Sequence, residues 1–256
     1  MRLVRFETPF GEIHTGWVLG DQVGIVDGSI FGEFRRSEAN LSISSLKLLP
    51  PVQPTKIICV GRNYVSHAEE HDAEVPEIPL IFLKPPSSLI GHDSTIILPP
   101  QSSQVEHEAE LAVVIGKQGR WISPDEATDY ILGYSIANDV TARDLQRQDG
   151  QWTRGKGFDS FCPLGPWLET DFNPADALLT CNVNEDTRQM ASTRDMVFNI
   201  QQIIAFTSST MTLEPGDLIL TGTPAGVSPL QPNDIIEITI EGIGTLRNQV
   251  AIESLT

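Results

Sequence analysis

Short apolar runs broken by turn residues recur along almost the whole chain, a rhythm of strands rather than of long helices. Leu3 to Val26 read as short strands separated by Phe10-Gly11-Glu12 and Gly20-Asp21-Gln22. Further strands are predicted over Lys56 to Val60, Ile81 to Leu83, Thr95 to Leu98, Leu111 to Ile115, Ile131 to Ala137, Leu218 to Thr221, Ile235 to Ile240 and Thr245 to Val250. Helical spacing is confined to a few stretches. These are Asn63 to His71 with Asn63 as N-cap, a start at Ser123-Pro124, Ala142 to Arg147, and Phe198 to Met211. Many short strands with few helices predict a mixed, β-rich fold and not a doubly wound sheet. Leu49-Pro50-Pro51-Val52-Gln53-Pro54 reads as an extended linker. It divides the chain into a small β-rich N-terminal domain over 1–54 and a larger domain over 55–256.

One predicted strand carries chemistry. Glu108-Ala109-Glu110 heads the run Leu111-Ala112-Val113-Val114-Ile115. Side chains two apart share a strand face, so Glu108 and Glu110 point with Ala112 and Val114. The opposite face is apolar throughout, and a strand apolar on both faces is usually buried on both. Two carboxylates entering such surroundings need a cation, because burying a lone ion costs far too much. Oxygen ligands without a thiolate cluster favour a hard divalent ion, Mg²⁺ or Mn²⁺. The same pattern admits a second reading, in which Glu106, Glu108 and Glu110 line the wet end of an edge strand. Asp139, after the strand Ile131 to Ala137, is a third candidate oxygen ligand, or else a cap on the next helical turn.

Other segments offer paired readings. Lys156 lies between Gly155 and Gly157 and could face an oxyanion or a substrate carboxylate; a solvated loop lysine is the plainer case. In His67-Ala68-Glu69-Glu70-His71, Glu70 could orient His67 as a base that takes a proton from water. The same five residues match H-x-x-E-H, the zinc pattern of inverted peptidases, although the segment between Gly61 and Pro76 is short for that role. A polar surface helix is the third possibility. Thr221-Gly222-Thr223-Pro224-Ala225-Gly226 offers backbone N–H groups and the Thr223 hydroxyl to a carboxylate, or is an ordinary turn.

Composition narrows the partners. The chain has 256 residues, 40% hydrophobic, and is globular. A net charge of −17 argues against nucleic acid and against acidic lipid surfaces. An anionic substrate then requires a local cation, which fits a metal site. Cys59, Cys162 and Cys181 are odd in number and far apart, so no disulfide framework is expected and a reducing, cytoplasmic compartment is. Met1 to Glu7 has no apolar targeting run, and no stretch is long enough to span a membrane.

Taken in order, several segments resemble the fumarylacetoacetate hydrolase family. They are Val60-Gly61-Arg62-Asn63-Tyr64, His67 to Glu70, Phe82-Leu83-Lys84-Pro85, His107 to Gly116, Asn138 to Gln146, Lys156-Gly157-Phe158-Asp159, Pro163 to Trp167, Leu213 to Asp217 and Thr221 to Val227. Each alone is weak, but their order from Lys56 to the C-terminus is specific. The resemblance implies a mixed β-sandwich roll, a homodimer, and Mg²⁺ or Mn²⁺ held by Glu108, Glu110 and Asp139. It implies His67 and Glu70 as a water-activating dyad and Lys156 as the oxyanion partner. Arg62, Tyr64, Arg143, Gln146 and Thr223 become contacts to a small 2-oxo or 2,4-dioxo acid. The expected reaction is hydrolysis of a C–C bond in an acylpyruvate or fumarylpyruvate, releasing pyruvate. Oxaloacetate decarboxylation and keto–enol tautomerisation or isomerisation are alternatives on the same site. A zinc peptidase built on His67, Glu70 and His71 is a remote one.

Overall fold

The computed structural model describes residues 1–254. Two sheets organise it, a larger one of 13 strands and one of five, with a two-stranded ribbon beside them. The strand that bears the glutamates, Ala109–Ile115, lies inside the larger sheet, and all seven of its residues are buried. Ile131–Asn138 and Leu218–Leu220 flank it, both antiparallel. Ile57–Gly61 runs parallel to Leu218–Leu220, and Leu80–Lys84 closes that side of the sheet.

Period-two alternation divides the core. Ala109, Leu111, Val113 and Ile115 pack with Ile58, Val60 and Ile136, and with Leu179, Ile236 and Ile238 of the five-stranded sheet. Ala112 and Val114 face the other way, into a second cluster with Ile57, Cys59, Leu164, Leu218 and Leu220. Glu108 and Glu110 therefore emerge at the end of that second layer, so the wet edge-strand reading fails.

The first three strands, Arg2–Glu7, Ile13–Leu19 and Gln22–Gly28, form an antiparallel meander. Its first strand pairs with Cys162–Glu169, so the N-terminal segment extends the large sheet. Cys162–Glu169 escapes sequence reading because two prolines and Gly165 interrupt its apolar pattern. Asp186–Ser192 escapes because it is an edge strand with a mostly polar, exposed surface.

Three predicted helix boundaries need correction. The first helix is Val65–Glu70, and Asn63 does not cap it. The Asn63 amide is used elsewhere: Nδ2 donates to the carbonyls of Phe198 and Thr221 at 3.0 and 2.7 Å, and Oδ1 accepts from Phe198 N at 2.7 Å. Ser123-Pro124 starts no α-helix, because Ser123 Oγ donates to Glu126 at 2.6 Å and only a 3₁₀ turn, Ala127–Tyr130, fits before the next strand. The C-terminal helix is Ile200–Thr210, starting two residues late because Asn199 and Gln202 form a reciprocal cap.

Candidate active site

Register alone brings the carboxylates together. Ala109 pairs with Asn138 and Glu110 with Ala137, so Glu108 sits opposite Asp139, whose N–H donates to the Glu108 carbonyl at 2.8 Å. Glu110 follows two residues along on the same face. Oxygens of Glu108, Glu110 and Asp139 lie within 4.8 Å of one another, and each residue is at most 4% exposed.

Three buried cations surround them. Lys156 Nζ donates to Glu108 Oε2 and Asp139 Oδ2, both at 2.7 Å. Lys84 Nζ donates to Asp139 Oδ1 at 2.6 Å and to the Val140 carbonyl at 3.1 Å. Arg143 spans Glu106 through Nε at 2.7 Å, Glu108 through Nη2 at 2.5 Å and the Gln146 side-chain Oε1 through Nη1 at 2.7 Å. Lys84, Arg143 and Lys156 thus face four buried carboxyl groups, Glu106, Glu108, Glu110 and Asp139, one more acid than there are cations.

Glu110 is the carboxylate without a cation in contact. Its one hydrogen-bond donor among the described residues is the Gly222 N–H, 2.7 Å from Oε2. Gly222 has φ +96°, and a Cβ there would come within 2.7 Å of the Asn63 Cβ, so glycine is required for this approach. Burial, reinforced by Asp139 and Glu108, pushes the Glu110 carboxyl well above its usual range. Burial also opposes the Glu108 charge, but Lys156 and Arg143 outweigh it and hold that carboxyl well below the usual range. Burial likewise opposes the Lys156 charge, and Asp139 and Glu108 outweigh it. The donor set fits a hard divalent cation: three carboxylates converge, and the least compensated one gains a partner when the ion binds.

A cavity of about 280 Å³ opens onto this cluster. Arg62, His67, Arg143, Gln146, Lys156 and Thr223 line it together with the three carboxylates. His67 is 6% exposed. Burial, helped by His71, Arg143 and Lys156, lowers its pKa against the pull of Glu108, so the imidazole is neutral at pH 7. Its Nδ1 lies 3.4 Å from Glu70 Oε2 but is not aligned for a hydrogen bond and has no other partner among the described residues. Glu70 stands behind His67, outside the cavity lining, and accepts from Gly226 N at 3.0 Å. Tyr64 does not line the cavity either; its hydroxyl is buried without a partner, and burial raises its pKa. The Thr223 hydroxyl is committed to protein, donating to the Ala109 carbonyl at 2.9 Å and accepting from Gln189 Nε2 at 2.7 Å.

Several members of the site carry weak sequence signals. Lys84 follows the predicted strand Ile81 to Leu83 and lies in the segment Phe82-Leu83-Lys84-Pro85 of the family resemblance, but neither signal reveals its buried ion pair. Phe82 and Trp152 form an aromatic wall with ring centroids 5.0 Å apart. Arg147 lines the same cavity.

Comparison with known proteins agrees with this architecture. Residues 56–251 match the family described as "Fumarylacetoacetate (FAA) hydrolase C-terminal", and residues 1–51 match "Rv2993c-like, N-terminal". The chain belongs to the fumarylacetoacetate hydrolase family. It is 40% identical over 286 residues to the mitochondrial oxaloacetate tautomerase Fahd2a of Rattus norvegicus, covering 98% of this chain and 91% of the relative. The crystal structure of a 5-carboxymethyl-2-hydroxymuconate delta-isomerase from Mycobacterium smegmatis superposes with a TM-score of 0.91 at 42% identity, covering 99% of this chain and all of the other. A maleylpyruvate hydrolase from Sphingobium, solved with manganese(II) and pyruvate, superposes with a TM-score of 0.81 at 32% identity, again over 99% and 100% of the two chains. No helix among the described residues is long and apolar enough to cross a membrane.

Proposed function

We propose that this chain is a divalent-metal-dependent enzyme that tautomerises a small 2-oxo diacid of the oxaloacetate type. The reaction moves a proton between carbon 3 and the 2-oxo oxygen. One observation carries the diacid substrate class: Arg62 and Arg147 line the cavity with no ion-pair partner among the described residues. In a protein of net charge −17, two unpaired guanidinium groups at one cavity select a second carboxylate on the substrate. The 40% identity with a named oxaloacetate tautomerase supports the same substrate class.

Glu108, Glu110 and Asp139 would hold Mg²⁺ or Mn²⁺, which when bound supplies Lewis acidity toward the oxygens of the 2-oxo acid. The chain's own side chains supply the rest. His67 is neutral, and its Nδ1 is turned toward Glu70, so Nε2 takes the proton from carbon 3 and returns it to oxygen. Lys156 keeps its charge in a buried site and stabilises negative charge developing on the substrate. Arg143 occupies the Gln146 side-chain Oε1, which leaves Gln146 Nε2 as a donor to the 1-carboxylate. Phe82 and Trp152 exclude water from one side.

A second reading is hydrolysis of an acylpyruvate, supported by the likeness to the maleylpyruvate hydrolase solved with pyruvate. There His67 and Glu70 would take a proton from water instead of from carbon 3. In both readings His67 acts as the base, and the product formed distinguishes them. Decarboxylation of oxaloacetate would use the same site without a base. The peptidase reading is set aside because residues 56–251 match the fumarylacetoacetate hydrolase family. The expected homodimer belongs to this proposal and is read by light scattering.

The test is a substrate panel with Mg²⁺, with and without chelator. Accelerated loss of the oxaloacetate enol absorbance, abolished by chelator, is the expected result. Pyruvate release from acetylpyruvate or fumarylpyruvate would transfer the assignment to hydrolysis, and pyruvate with CO₂ from oxaloacetate to decarboxylation. No turnover of any of these with metal bound refutes the enzyme reading.

A further inference from the structure

The segment His67 to His71 holds more ligand chemistry than the proposed reaction uses. Only one nitrogen of His67 is needed as a base, yet His67 Nδ1 and His71 Nε2 are both buried with no hydrogen-bond partner among the described residues. Their rings meet edge to face with centroids 4.7 Å apart. Glu70 lies between them in sequence, and one ligand atom from each of His67, Glu70 and His71 falls within 4.8 Å of the others. The helix Val65–Glu70 puts positions i, i+3 and i+4 on one face, and the chain is still turning at His71, whose N–H donates to the Ala68 and Glu69 carbonyls. Buried donors left unpaired are costly, and two neighbouring imidazoles that share the defect share a remedy.

We propose that His67 Nδ1, Glu70 and His71 Nε2 form a second metal site, selective for a borderline ion such as Zn²⁺, and that its occupation switches off the base. Two imidazoles and one carboxylate suit zinc, with water as a fourth ligand, whereas Mg²⁺ prefers the all-oxygen cluster. Zn–N and Zn–O bonds of about 2.0–2.2 Å require tetrahedral ligands roughly 3.4 Å apart. Small rotations of exposed Glu70 and half-buried His71 close the present spacing.

The switch follows from proton placement. Neutral imidazole carries one N–H. With that hydrogen on Nδ1, facing Glu70, Nε2 has its lone pair free. A metal on Nδ1 takes that lone-pair position and the hydrogen must reside on Nε2, which becomes a donor and cannot accept from carbon 3. No proton enters or leaves, and only the tautomer changes. The inhibition rests on the role proposed above for His67, while the binding site does not.

Zinc stoichiometry and affinity, by equilibrium dialysis with excess Mg²⁺, test the site in the folded chain. The comparison is wild type, His71→Ala, Glu70→Gln and Glu110→Gln, each checked by circular dichroism. Cobalt(II) in place of zinc gives a visible spectrum that reports nitrogen ligation. The site predicts that His71→Ala loses one zinc and the nitrogen-ligated cobalt bands, that Glu70→Gln binds zinc at least tenfold more weakly, and that Glu110→Gln keeps both the zinc and the bands. Turnover, measured against each variant's own zinc-free rate, is inhibited by zinc in wild type and resistant in His71→Ala. Zinc binding that His71→Ala leaves unchanged, or that Glu110→Gln alone abolishes, overturns the site. Zinc bound through His71 in a protein that turns over no substrate leaves the site standing and refutes the function. Zinc bound there without inhibition refutes the switch.

Discussion

Replacing Lys84 by Met removes one of three cations from a buried cluster of four carboxyl groups. Lys84 is 1% exposed, and its Nζ sits 2.6 Å from Asp139 Oδ1. Methionine fills most of the same space, so the loss is of charge and hydrogen bonds rather than of volume. Breaking a buried pair on one side leaves an uncompensated ion and costs about 3–5 kcal/mol. Lys156 still contacts Asp139 at 2.7 Å, which places the expected cost at the lower end, about 3 kcal/mol. For a chain of this size that lowers Tm by roughly 6–12 °C. With Glu110 holding its proton in the metal-free protein, Lys84→Met leaves one unpaired negative charge where wild type has none, and a divalent cation bound at the cluster supplies the missing positive charge. Saturating Mg²⁺ should therefore raise the Tm of Lys84→Met more than that of wild type. The assay is differential scanning fluorimetry with chelator and with excess Mg²⁺. An unchanged Tm in chelator, or equal metal responses in the two proteins, would refute the charge accounting.

Other outcomes follow from the same cluster. The Glu110 pKa is raised on folding, so its contribution to metal-free stability is present below the unfolded value of about 4.3 and is lost as pH rises through the folded value. Urea titrations should show this loss in wild type and not in Glu110→Gln, and a pH-independent difference between the two would contradict it. Metal must displace that proton, so below the folded value Mg²⁺ affinity should weaken about tenfold per pH unit in calorimetry; a flat profile counts against Glu110 as a ligand. His67→Ala should lower kcat about 10²- to 10⁴-fold while leaving Mg²⁺ affinity intact, and retained turnover would remove His67 as the base. Arg62→Ala and Arg147→Ala should each raise KM for a 2-oxo diacid about tenfold or more without affecting a 2-oxo monoacid, and equal effects on both substrates would discard the second-carboxylate assignment.

The parts of this molecule that sequence made legible are those governed by local periodicity. Alternation along Glu108 to Ile115 located a strand buried on both faces and set the two glutamates on one of them. Asp139 could be named as a candidate, but its position opposite Glu108 depends on strand register, which resides in the pairing of Ala109 with Asn138. The cations were harder for the same reason. Lys84 and Lys156 are 72 positions apart, and both reach Asp139 only because Leu80–Lys84 and the turn Thr153–Lys156 converge on it. Asn63 shows the reverse case, where a side chain suited to a local cap is taken by distant partners at Phe198 and Thr221. Arg147 gave no signal at all, since an exposed arginine on a short helix looks the same in sequence whether or not a cavity lies beside it.

Manganese anomalous scattering, from crystals grown with Mn²⁺, tests the central claim most directly. A single strong peak bonded to oxygens of Glu108, Glu110 and Asp139 at about 2.1–2.2 Å, and absent in Glu110→Gln, is the predicted result. No peak between those three carboxylates, or one that persists unchanged without Glu110, would contradict it.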